Sequence, residues 1–162
     1  MTMPAPHVQD VVTTRLGDVS AIATPAEESE ERTGGCLCGR IRFTVKGKAV
    51  FPHTCACTHC QKLGGAPLMW WAGFPMDGVT WTGAGGEPTW FETFEGESKR
   101  GFCPDCGSRL AAIDSDIPEL GINVTALDDT SGTDLVPVNQ SFRDNAVHWL
   151  PPIPDAQRSP VA

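Results

Sequence analysis

The sequence predicts an all-β domain of small sheets with only short helical turns, and three observations carry that reading. Apolar residues alternate over short runs, 17 glycines and 14 prolines punctuate those runs, and no amphipathic stretch is long enough for a substantial helix. The first run follows Gly34-Gly35, where Ile41, Phe43 and Val45 alternate with Arg40, Arg42, Thr44 and Lys46 before Gly47, the period of a half-buried strand. Further strands are predicted over 68–74, at Val79 and Trp81 before Gly83, and over 90–94, 109–113 and 122–127, all short and bounded by turn residues. Trp70 and Trp71 are consecutive on one of them, so they should face opposite sides, one in the core and the other lining a cleft or a subunit contact.

Residues 1–33 show no sustained period, and Glu27, Glu28, Glu30 and Glu31 cluster there, so an acidic, mobile tail is expected. At the other end Pro151, Pro152, Pro154 and Pro160 stop regular structure, which leaves 34–154 as the compact domain and 155–162 as a flexible tail. The chain has 12 basic and 20 acidic residues, a formal charge of -8, of which the N-terminal tail, with six acids and two bases, holds half. Such a balance repels polyphosphates and anionic surfaces, so neither nucleic acid nor membrane is an expected partner. No basic-then-apolar leader opens the sequence and nothing approaches a membrane span, so a cytoplasmic protein with reduced thiols is expected, as a monomer or homodimer.

Seven cysteines cannot all pair with one another, which makes metal binding the leading reading. They fall into three groups: Cys36 and Cys38; Cys55, Cys57 and Cys60; Cys103 and Cys106. The Cys103-Pro104-Asp105-Cys106-Gly107 turn has the pattern of a zinc knuckle, with Gly107 available for positive φ. A thioredoxin-like redox pair would need a βαβ unit around it, which this sequence lacks. A closed structural site takes four ligands, and Cys36 and Cys38 complement the knuckle, clipping the first strand to a later one across a long loop. Cys55, Cys57 and Cys60 remain, able to reach one ion and leave its fourth position to an exchangeable ligand. Closure by His53 or His59, and a different division of the groups between the ions, are the competing readings. Zinc is favoured over iron because no typical iron–sulfur spacing is present.

Three segments stand in order: Gly34-Gly35-Cys36-Leu37-Cys38-Gly39, the Cys55 to Cys60 run followed by Gly64-Gly65-Ala66-Pro67, and Arg100-Gly101-Phe102-Cys103-Pro104-Asp105-Cys106-Gly107. Together they resemble the glutathione-dependent formaldehyde-activating enzyme family, which also contains centromere protein V, over about residues 34–149. Leu127-Asp128-Asp129 is similar to a late Leu-Asp-Asp of the family, whereas Gln61 before Lys62, and Pro137-Val138-Asn139-Gln140 in place of a frequent Pro-x-x-His, depart from its pattern. The resemblance implies a β-tent of layered small antiparallel sheets and two zinc ions, structural at Cys36, Cys38, Cys103 and Cys106 and catalytic at Cys55, Cys57 and Cys60. It implies a carbon–sulfur lyase, in which the sulfur of glutathione enters the open position and adds to formaldehyde, giving S-hydroxymethylglutathione. Small thiols and aldehydes are then the expected partners. Arg100 is a candidate for a glutathione carboxylate, with a surface ion pair as its alternative fate. His53, His59 and Lys62 are expected to be exposed polar residues rather than proton donors. The rival functions are a non-enzymatic zinc module for macromolecular contacts and a zinc-thiolate redox sensor.

Overall fold

The computed structural model describes residues 31–153, so the acidic segment through Glu30 and the segment from Pro154 onward lie outside the described residues. Ten strands and one α-helix follow in order: β1 Arg32–Gly35, β2 Arg42–Val45, β3 Val50–Cys55, α1 Thr58–Gly64, β4 Met69–Pro75, β5 Val79–Trp81, β6 Thr89–Phe94, β7 Ser98–Phe102, β8 Arg109–Asp114, β9 Glu119–Asn123 and β10 Asn139–Ser141. They form a three-stranded sheet in the order β1-β2-β5 and a seven-stranded sheet in the order β10-β3-β4-β9-β8-β7-β6. The fold is mostly β, as the alternation and turn residues predict, and its pairings are antiparallel except for β10 beside β3.

The alternation in β2 sends Phe43 and Val45 inward and leaves Arg42 and Thr44 half-exposed. Phe43 packs edge-on against Trp81 of β5, ring centroids 5.5 Å apart, and the inner face of this small sheet closes on Phe74, Leu110 and Ile122 of the large one. Phe43, Phe74, Leu110 and Ile122 are essentially inaccessible, and each contributes about 1.5–3 kcal/mol by burial. Arg32 and Asp134 tie the edge of that core at 2.8 Å, and Asp134 also accepts from the Ala49 backbone N–H.

The six expected strands all have counterparts, but the run over 122–127 divides. Its strand stops at Asn123, and Val124–Ala126 form a 3-10 turn that carries Leu127 back to a bridge with Gly34. Four strands and the helix escaped prediction for local reasons. β1 is polar and glycine-rich, β10 is three residues long, and β7 mixes Ser98, Lys99 and Arg100. β3 contains Pro52, which sits at a bulge, the place where a sheet tolerates proline. Among the described residues the first strand begins at Arg32, where β2 pairs with it.

Candidate metal centres

The first cluster joins two turns. The loop between β1 and β2 supplies Cys36 and Cys38, the turn between β7 and β8 supplies Cys103 and Cys106, and their four sulfurs lie within 4.8 Å of one another. The Sγ of Cys38 stands 3.4 Å from that of Cys36 and 3.7 Å from that of Cys103. A disulfide would need about 2.05 Å. A tetrahedral zinc with Zn–S bonds of about 2.3 Å places its sulfurs about 3.8 Å apart. The turns are pre-shaped for this: the Gly107 N–H bonds the Cys103 carbonyl at 2.8 Å with Gly107 at φ 75°, and the Ile41 N–H donates to the Cys36 sulfur at 3.2 Å. Ser108 links the loops, accepting from the Leu37 N–H and standing 3.3 Å from the Cys106 sulfur.

The proton affinities in this cluster are split. The Ser108 hydroxyl, with the Ser108 and Cys38 backbone, holds Cys106 down to about 6. The Arg40 backbone favours the Cys38 thiolate, but the sulfurs of Cys36, Cys106 and Cys103 together with burial outweigh it, and Cys38 is pushed up to about 12. Against its burial, the Ile41 N–H and the sulfurs of Cys38 and Cys103 hold Cys36 down as well, so Cys36 and Cys106 favour the thiolate while Cys38 resists it, the repulsion a dication relieves.

The second cluster is built on α1. Cys55 ends β3, Cys57 caps the helix by accepting from the Cys60 N–H, and Cys60 lies in the first turn. The helix stops at Gly65, which takes the left-handed conformation that its C-cap requires. The three sulfurs again lie within 4.8 Å of one another, Cys55 and Cys60 buried and Cys57 half-buried, packed on Met69, Trp71 and Ala112. Hydrogen bonding with Cys55 holds Cys60 down to about 6 against its burial, helped by Trp71, Cys57 and the charge of Arg100, while the same partnership with Cys60 and burial push Cys55 up. An all-sulfur donor set suits zinc in both clusters, and in the first the measured sulfur separations are close to the tetrahedral value.

Over the three-cysteine cluster opens a cavity of about 470 Å³, with Trp71, Arg100, His53 and His59 on its wall. Neither histidine belongs to the sulfur group: His53 Nδ1 lies 3.0 Å from the Phe51 carbonyl oxygen, and His59 stacks on Phe94 with centroids 4.8 Å apart. Burial lowers the His53 pKa, partly offset by the Phe51 carbonyl and the charge of Asp114. Arg100 Nη1 pairs with Asp114 Oδ1 at 2.8 Å, and Ser98 Oγ shares the same oxygen at 2.5 Å.

A family model described as glutathione-dependent formaldehyde-activating enzyme matches residues 31–145. The chain belongs to that family. A solved structure of a Rhodobacter sphaeroides protein is similar to this family member at 21% identity and a TM-score of 0.49, covering 67% of this chain and 99% of that one. No curated protein matches it. Among the described residues, no helix of this glutathione-dependent formaldehyde-activating family member is long and apolar enough to cross a membrane.

In this family member the structure brings together Cys36, Cys38, Cys103 and Cys106, and separately Cys55, Cys57 and Cys60, the division that sequence spacing predicts. Arg100 lies on the cavity wall and is ion-paired with Asp114. Trp70 and Trp71 part as expected: Trp70 packs on the main core and donates to the Leu135 carbonyl at 2.9 Å, and Trp71 faces the cavity. Lys62 is exposed and lies off the wall. Sequence reasoning missed Phe51, Phe94, Phe142, Asp114, Asp116 and Glu119, which also line the cavity. None of these carried a usable sequence signal; Asp114 joins the site through the pairing of Ser98 on β7 with Asp114 on β8, a register that the sequence does not display.

Proposed function

We propose that this family member is a carbon–sulfur lyase joining a small thiol, glutathione by the family's name, to formaldehyde or another small aldehyde, with a zinc ion in each cysteine cluster and the two sheets forming the β-tent of the family. The observation that carries this reading is the contrast between the clusters. One has four sulfurs, and the other has three at the mouth of a cavity of about 470 Å³, within the range of small-molecule sites.

Zinc held by Cys55, Cys57 and Cys60 would lower the pKa of an incoming thiol and hold it in place. The chain's own residues orient and enclose the reactants. Trp71 and the apolar walls exclude water from the reacting carbon, and α1 fixes Cys57 and Cys60 at one end of the cavity. The Arg100 guanidinium, braced by Asp114, favours negative charge on the sulfurs near it. A carbon–sulfur bond forms as the aldehyde π bond breaks, and the thiol proton ends on the former carbonyl oxygen. Nothing is oxidised or reduced.

The test is the rate of S-hydroxymethyl adduct formation against the uncatalysed reaction of the same thiol and aldehyde. An excess of at least about tenfold that vanishes on chelation and in Cys57→Ser supports the proposal. A rate equal to background in the zinc-loaded protein contradicts it.

A further inference from the structure

Among the described residues, two hold a left-handed backbone without being glycine, Phe51 at φ 44° and Phe142 at φ 56°. Bulky side chains seldom adopt this conformation, and where they do, the strain tends to sit at ligand clamps. Both phenylalanines line the cavity over Cys55, Cys57 and Cys60, and both remain exposed, at 40% and 63%. They stand toward opposite ends of one strand pairing, since Ser141, just before Phe142, pairs with Cys55. Phe51 lies in the bulge of β3, and Phe142 directly follows β10, which runs parallel beside β3.

The rest of the rim repeats the theme. Val50, Phe94 and Ile117 line the same opening, so five of the ten large hydrophobics exposed among the described residues surround one cavity. Scattered apolar side chains on a surface mean little, but a contiguous patch around a concave site marks a binding surface. The charges on the wall point the same way. Asp114, Asp116 and Glu119 are acidic, Arg100 is the one arginine or lysine, and it is already paired with Asp114. Asp116 and Glu119 are in no ion pair among the described residues. A tripeptide thiol such as glutathione brings two carboxylates and one ammonium, and each carboxylate would meet like charge beside an apolar wall.

We propose that the thiol selected by this site has an apolar body of aromatic size and no net negative charge, and that Phe51 and Phe142 are the residues that grip it. The inference rests on reading the three-cysteine cavity as a thiol–aldehyde centre.

Calorimetric titration of the full, zinc-loaded chain at pH 7 with 2-phenylethanethiol and with glutathione tests it. The aromatic thiol is expected to bind at least about tenfold tighter. Phe142→Gly relieves the backbone strain and should keep the melting temperature at or above that of the wild type, while weakening 2-phenylethanethiol at least about fivefold and changing glutathione less than about twofold. Phe142→Asn, which also tolerates positive φ, is the second variant and should show the same selective loss. Replacing Asp116→Asn and Glu119→Gln together should narrow the gap by improving glutathione. Glutathione binding as tightly as 2-phenylethanethiol, or tighter, overturns this proposal and leaves the thiol–aldehyde reading standing. Folded glycine and asparagine variants with an unchanged preference overturn the assignment of the phenylalanines. Binding of neither thiol overturns both readings.

Discussion

Thr54 of β3, next to Cys55, has its hydroxyl buried and without a hydrogen-bond partner among the described residues, on the wall of a second cavity of about 610 Å³. An unpaired buried hydroxyl costs about 1–3 kcal/mol, and valine fills nearly the same volume with better strand propensity. Thr54→Val is therefore expected to stabilise the protein by about 1 kcal/mol in urea denaturation. A loss of stability would mean that the hydroxyl has a partner in that cavity. At Phe142 the strain of a left-handed bulky residue is about 1–3 kcal/mol, so Phe142→Gly should gain on the same assay whatever it does to ligand binding. These residues also show where sequence reading stops. The cysteine groups were legible because chelating spacings are local, two or three residues apart. The rim of Phe51, Phe94 and Phe142 was not, because three separate elements assemble it and positive φ leaves no mark in the sequence at a phenylalanine.

Among the elements, the β1–β2 hairpin depends on a polar clasp that no periodicity reveals. Arg42 pairs with Asp128, the Thr33 hydroxyl donates to the same carboxylate, and the Asp128 N–H bonds the Thr33 carbonyl at 2.9 Å. The Arg42 guanidinium and the Thr33 hydroxyl hold the Asp128 carboxyl below its ordinary range, against a smaller opposing effect of burial. A carboxyl with a lower pKa folded than unfolded stabilises fully above the unfolded value and loses that contribution as pH falls through the folded one. Both side chains are substantially exposed, so the effect is small. Asp128→Asn should lower stability by less than about 1 kcal/mol at pH 7. The gap should start to close as the pH drops below about 3.9 in a denaturation series. A gap that widens on acidification contradicts this account of the clasp. The strands with clean alternation, β2 and β5, were legible at this scale. β3, β7 and β10 were not, since a proline bulge, three polar residues and a three-residue parallel pairing all break the period on which such reading rests.

Across the whole molecule, the four-cysteine cluster fastens the small sheet to the large one, because Cys36 and Cys38 leave β1 while Cys103 and Cys106 follow β7. Cys103 is fully buried within the main core, whereas Cys57 is half-buried at the cavity. Cys103→Ser should thus cost at least about 3 kcal/mol by loosening a metal tie and burying an ill-matched hydroxyl, and Cys57→Ser less than about 1 kcal/mol. Equal losses in thermal denaturation would remove the distinction between a structural and a reactive cluster. The mostly β class and the separation into two sulfur groups were readable in advance from patterns short enough to see. The order of strands in the sheets was not, since it depends on pairings between distant segments such as β4 with β9. Seven sulfurs stand in groups of four and three, each able to hold one ion. Zinc per chain, measured by elemental analysis on the wild type and on Cys57→Ser, tests that most directly. Two ions in the wild type and one in a folded Cys57→Ser are predicted; a single ion in the wild type, or two retained tightly in the variant, would contradict it.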